Sequence, residues 1–99
     1  MDKKDILSKL RENKETLFHK FGVKKIGLFG SFSKDCQNEN SDIDIIYELN
    51  SDKKMNFGEL LELEAFCSNL FGNYRVELVN AKFMNPIIKI DMEDSVLYV

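Results

Sequence analysis

The 99-residue chain carries 14 basic and 17 acidic residues, a net charge of −3, with 43% hydrophobic and 31% charged residues. That length suits one domain, residues 1–99, with a single core and no second domain to enclose a substrate. The acidic balance and the absence of a basic stripe argue against direct nucleic-acid binding, and no apolar run approaches the roughly 20 residues of a membrane span.

Met1-Asp2-Lys3-Lys4-Asp5 leads into an amphipathic pattern, not into the apolar segment of a signal peptide, so a cytoplasmic protein is expected. Cys36 and Cys67 are too few for a disulfide framework or a zinc site, and free thiols are expected. Ile6, Leu7, Leu10, Leu17, Phe18 and Phe21 recur at helical spacing, which predicts one helix over residues 5–21 closed by Gly22. Residues 23–29 read as a first strand. Ser31 then opens a short helix or turn, which gives way to a polar loop from Cys36 to Ser41. Residues 42–48 read as a second strand. Asn56 and Glu59 form a capping box for the next helix, whose apolar face runs through Phe57, Leu60, Leu61, Leu63, Phe66, Cys67, Leu70 and Phe71 to a stop at Gly72-Asn73. Residues 74–79 alternate as a third strand, with Val76 and Leu78 on one face and Arg75, Glu77 and Val79 on the other. Asn85-Pro86 starts a last helix through about Glu93, and Val96–Val99 forms an edge strand or an extended tail.

Two acids inside an otherwise apolar strand are costly unless their charge is used. Side chains at i and i+2 share a strand face, so Asp42 and Asp44 converge while Ile43 and Ile45 turn away. Mutual repulsion of such carboxylates is relieved by a divalent cation, and hard oxygen ligands suit Mg2+. Gly30, at the end of the first strand, lets a phosphate approach the backbone, and Ser31 can cap the short helix or turn it opens and offer its hydroxyl. Glu77 is the one carboxylate of the third strand; by its residues alone it is either a solvent-facing Glu or a partner of the two acids. Glu48 shares the parity of Asp42 and Asp44 but lies at the far end of its strand. His19 reads as a surface or cap residue, and the lysine pairs at 3–4, 24–25 and 53–54 as solvated surface.

The Gly30-Ser31 turn and the Asp42-Ile43-Asp44 strand, each bounded by apolar runs and ten residues apart, resemble the signature of the DNA polymerase β-like nucleotidyltransferase superfamily. Nearly the whole chain, from the first helix to Val99, is similar to the minimal nucleotidyltransferases (MNT) of bacteria and archaea. The resemblance implies an α/β fold, a small mixed sheet with helices packed on one face and the site at its exposed edge. It implies transfer of AMP from ATP to a hydroxyl, with two Mg2+ ions held by Asp42, Asp44 and Glu77, and Glu77 as the base. Gly30 and Ser31 would hold the phosphates. Relatives often carry a basic or aromatic residue after Gly-Ser and an Arg soon after; here Phe32, Ser33 and Lys34 take those places, and Lys34 would supply the charge without a bidentate fork. Many relatives have Asp where this chain has Glu77. The family's usual partner is a HEPN-domain RNase toxin, adenylylated on a tyrosine, so the chain is expected to be its antitoxin, in a homo- or hetero-oligomer. Two alternatives stand beside this: an antitoxin or scaffold that acts by binding alone, and a transferase for a small molecule such as an aminoglycoside.

Overall fold

The computed structural model describes residues 1–87 and 95–99, and the elements run α1 (Lys3–Glu12), α2 (Lys14–Phe21), β1 (Val23–Phe29), β2 (Ile43–Leu49), α3 (Phe57–Leu70), β3 (Val76–Asn80) and β4 (Leu97–Tyr98). The expected last helix beyond Ile87 lies outside the described residues, although the Asn85 side chain accepts the Ile87 N–H at 2.9 Å as a cap would.

The helix expected over residues 5–21 is two helices. α1 begins earlier because Asp2 caps it: the Asp5 N–H donates to Asp2 Oδ1 at 3.0 Å and the Asp2 N–H donates to Asp5 Oδ2 at 3.2 Å. It stops at Asn13, whose backbone leaves helical values (φ −107, ψ 11) and whose side-chain amide donates to the Lys9 carbonyl at 2.8 Å. An Asn that bonds its own helix's carbonyls competes with the backbone ladder, and no Gly or Pro is needed for such a break. α2 then closes on Gly22 in the left-handed region.

The sheet has the order β3-β2-β1-β4. β1 pairs antiparallel with both β2 and β4, whereas β2 and β3 are parallel, joined through α3. The C-terminal residues therefore form an edge strand, with the Val99 N–H donating to the Ile26 carbonyl at 3.1 Å. Strand alternation sends Ile26, Leu28, Ile43, Ile45 and Tyr47 into one core with Ile6, Leu10, Leu17, Phe21, Leu63, Cys67 and Phe71 of the helical layer. The face opposite carries Asp44, Ile46, Glu77 and Val79 by the same alternation. Asn56 caps α3 as expected, accepting the Glu59 N–H at 2.8 Å. The apolar face of α3 is narrower than its sequence promised: Phe57 is 74% and Leu61 49% exposed. No helix of the described residues is long and apolar enough to cross a membrane.

Candidate active site

Because β1 and β2 are antiparallel and β2 and β3 parallel, three chain segments meet at one end of the sheet: the exit of β1 and the entries of β2 and β3. Gly30 leaves β1 with φ 77, and a Cβ there would run into the Asp44 carboxylate. Backbone conformation and contact both require glycine at this position. The segment after it is a hydrogen-bonded turn, not a helix. The Cys36 N–H donates to the Ser31 carbonyl at 2.8 Å and the Ser33 hydroxyl to the Gly30 carbonyl at 2.9 Å. Phe32 is buried and meets Tyr74 edge to face, at 6.2 Å between ring centres, which fastens this turn to the residues leading into β3. The Phe after Gly30-Ser31 thus serves packing. Lys34 is exposed in the same turn, and the Ser31 hydroxyl and Lys34 ammonium make no side-chain hydrogen bond or ion pair among the described residues.

Asp44 and Glu77 are register partners across the parallel pair, so their side chains leave the same sheet face. Burial first, then Glu77 as hydrogen-bond partner and as charge, then the charge of Asp42, push the Asp44 carboxyl from 3.8 up to about 6. Asp42 stands one residue before β2, not within it. The Ile43 N–H donates to the Arg75 carbonyl at 2.9 Å, and the Arg75 side chain places Nε 3.0 Å from Asp42 Oδ1. That contact is an ion pair without hydrogen-bond alignment, since Asp42 Oδ1 is buried and has no hydrogen-bond donor among the described residues. Sequence reasoning gives Arg75 no role; being one of two arginines in an acid-rich chain is the available signal.

Among the described residues no group of three or more His, Cys, Asp or Glu side chains is arranged to hold a metal ion by itself. The donor chemistry nevertheless fits a cation that takes only one or two protein carboxylates and fills its shell with water and phosphate oxygens, as Mg2+ does. The orphaned Asp42 oxygen and the raised proton affinity of Asp44 are what such a site shows when its charge is uncompensated.

The competing candidates lie elsewhere. Glu48 turns to Lys24, with 3.7 Å between charged atoms at the surface. His19 is exposed and packs edge to face on Phe18. Cys36 is exposed and Cys67 buried, both free, and burial pushes the Cys67 thiol up to about 12. Beside the acids, a groove of about 640 Å³ runs between α3 and β3, with Asp42, Arg75 and Glu77 at one end of its lining.

A Gly-Ser turn at the exit of β1, set against Asp44 of β2, with Asp42 just before that strand and Glu77 beside it on the parallel β3, defines a nucleotidyltransferase-type fold. The chain belongs to the nucleotidyltransferase domain family, which it matches over residues 7–99. It is 38% identical over 91 residues to a candidate protein adenylyltransferase of Methanocaldococcus jannaschii, covering 91% of this chain and 90% of that one. It is 33% identical over 95 residues to the protein adenylyltransferase MntA of Thermococcus cleftensis, covering 96% of this chain and 93% of that one. Among solved structures it is similar to a minimal nucleotidyltransferase, with a TM-score of 0.77 at 21% identity over 98% of this chain and 95% of that one. A chain of the complex between tri-AMPylated Shewanella oneidensis HEPN toxin and an MNT antitoxin has the same fold, with a TM-score of 0.58 at 20% identity over 97% of this chain and 66% of that one.

Proposed function

We propose that the protein transfers AMP from ATP to a hydroxyl of another protein, a tyrosine of a HEPN-type RNase toxin, and that this modification is how it acts as an antitoxin in the cytoplasm. The observation that carries the reading is the pairing of Asp44 with Glu77 across β2 and β3, directly against the turn at Gly30. The names of the relatives, protein adenylyltransferases, support the acceptor class, and the HEPN complex supports the partner.

In this reading the Gly30-Ser31 turn receives the β and γ phosphates, with the Ser31 hydroxyl donating to a phosphate oxygen and Lys34 supplying a positive charge beside them. Asp42, Asp44 and Glu77 would hold two Mg2+ ions. When bound, Mg2+ neutralises charge on the entering and leaving oxygens of an in-line displacement. Glu77, exposed at the sheet margin, takes the proton of the entering hydroxyl. The hydroxyl oxygen bonds to the α-phosphorus, the bond from that phosphorus to the bridging oxygen breaks, and pyrophosphate departs with the electron pair. Arg75 sets its guanidinium 3.0 Å from the buried Asp42 Oδ1 without hydrogen-bond alignment, so a cation taking that oxygen would have to displace it.

Neutralisation by binding alone is the rival reading, and stoichiometry separates the two. A transferase inactivates a molar excess of toxin in the presence of ATP and Mg2+, and the repurified toxin stays inactive and heavier by whole AMP units. A binder needs one molecule per toxin by mass action. Restored RNase activity with unchanged mass after separation refutes the transferase reading.

A further inference from the structure

β3 is the edge strand of the sheet, and its outer side faces the groove closed by α3. The Arg75 carbonyl bonds inward to β2. Alternation of a parallel ladder then turns the N–H and C=O of Glu77 and Val79 inward as well, and those of Val76 and Leu78 outward into the groove. Tyr74, of the same parity, agrees: its carbonyl accepts the Ser68 hydroxyl of α3 at 2.8 Å. Among the described residues no backbone partner takes the outward groups of Val76 and Leu78. Leu60, Leu61, Glu64, Ala65 and Ser68 form the opposite wall, apolar at its Leu60–Leu61 end, and Leu61 keeps half its surface in water. An edge open among the described residues, beside a wall that is apolar at Leu60 and Leu61, is a template for one more strand.

We infer that an extended segment of the acceptor protein docks as a fifth strand along β3 and is held by Val76 and Leu78, and that this docking delivers the acceptor hydroxyl to Glu77. This rests on the proposed transfer and specifies how the acceptor is recognised. The groove and the acids are continuous, because Asp42, Arg75 and Glu77 line its end. A strand added at the usual spacing of about 4.8 Å sends alternate side chains to opposite sheet faces. Residues flanking the acceptor position therefore drop onto Leu60, Leu61, Val76 and Leu78. The acceptor side chain itself emerges on the face of Glu77 and Asp44. The preferred segment accordingly reads apolar, hydroxyl, apolar. Backbone pairing supplies affinity and the two flanking pockets supply choice.

The probe is a displayed library of short peptides with a fixed central tyrosine and randomised flanks, selected on the full chain without ATP. Enriched peptides carry apolar residues on both sides of the tyrosine. N-methylation of alternate backbone amides weakens binding at least about tenfold in one register and little in the other, as a one-sided strand contact requires. Deuterium exchange slows at the Val76 and Leu78 amides when peptide binds. Leu78→Pro removes an outward donor without touching the β2 ladder, and Leu61→Arg closes the wall from α3; circular dichroism checks that each variant folds, and both lower peptide affinity about tenfold or more. No enrichment, equal loss in both methylation registers, or unchanged affinity in both variants overturns the docking inference. So does a concentration-dependent dimer that Leu78→Pro abolishes, since the edge then belongs to a second copy of the chain. Peptides bound at β3 but never adenylylated would refute the transfer reading and leave the docking surface standing. Adenylylation of toxin unaffected by Leu78→Pro and Leu61→Arg would do the reverse.

Discussion

Asp44 holds the least favourable charge of the site, and Asp44→Asn should release it. Burial, Glu77 and Asp42 together raise its carboxyl from 3.8 to about 6. At about 1.4 kcal/mol per tenfold change in proton affinity, ionising Asp44 in the folded chain costs at most about 3 kcal/mol. Water reaching this partly exposed group screens that to about 1–2 kcal/mol. The folded state binds the proton more tightly than the unfolded one, so the stability due to this group is full below pH 3.8 and is lost as pH rises through about 6. Asn has the same shape without the charge and escapes that loss. The variant should melt on the order of 5–10 °C above the parent at pH 8, and the difference should close at about pH 3, below the ordinary 3.8 of the group, where the parent carboxyl is largely neutral in both states. Scanning calorimetry of both proteins across that range, without divalent cations, measures it. A difference of equal size at both ends, or a variant that melts lower at pH 8, refutes the charge argument. Mg2+ with ATP should then raise the melting point of the parent and hardly move that of the variant, which also loses AMP transfer.

Gly30→Ala combines a left-handed backbone with a methyl group driven into the Asp44 carboxylate, and should cost about 2 kcal/mol or more; an unshifted urea midpoint would contradict it. Glu77→Gln should not lower the melting point, since it removes one of the charges that raise Asp44, while lowering AMP transfer about a hundredfold. Glu48→Gln, which disturbs a surface pair with Lys24, should transfer at the parent rate; labelled ATP compares the two, and equal rates in both variants would remove Glu77 from the mechanism. Arg75→Ala removes the cation beside Asp42, a change worth about 1 kcal/mol at an exposed pair, so titration calorimetry should show divalent cations binding about fivefold tighter. Weaker binding would mean that Arg75 positions the ligand more than it neutralises it.

The strands are legible because buried strands leave apolar runs, and the site acids because Asp is out of place in such a run. Asn56 and Glu59 mark the start of α3 for a similar local reason, each satisfying a backbone group of the other. The break at Asn13 is not legible: the apolar spacing continues through it, and only the bond from its side chain to the Lys9 carbonyl reveals the stop. Asp42 reads as part of β2 by its parity with Asp44, but the ladder begins at Ile43, and the pull of Arg75 from just before β3 has no trace in local sequence. Two-residue β4 is too short to have a periodicity of its own, so strand and tail look alike in sequence; its pairing with Gly27 and Leu28 decides the matter. Leu61 and Phe57 look like core by helical spacing, yet they lie at the borders of the apolar stripe, where spacing alone does not tell wall from water.

The parallel pairing of β2 with β3 also has a bearing on how the protein comes into being. Gly30 and Asp44 belong to an antiparallel pair joined by a single loop, a contact that a growing chain can make early at small entropic expense. Glu77 reaches Asp44 only after the whole α3 crossover has been synthesised and packed, and such non-local pairings are the slow events of folding. A ribosome-bound or partly refolded chain would thus bring Gly30 and Asp44 together before Glu77 joins them. On the proposed transfer, a chain short of that closure would lack the Glu77 carboxylate beside Asp44, so activity would arrive only with the closing of the sheet.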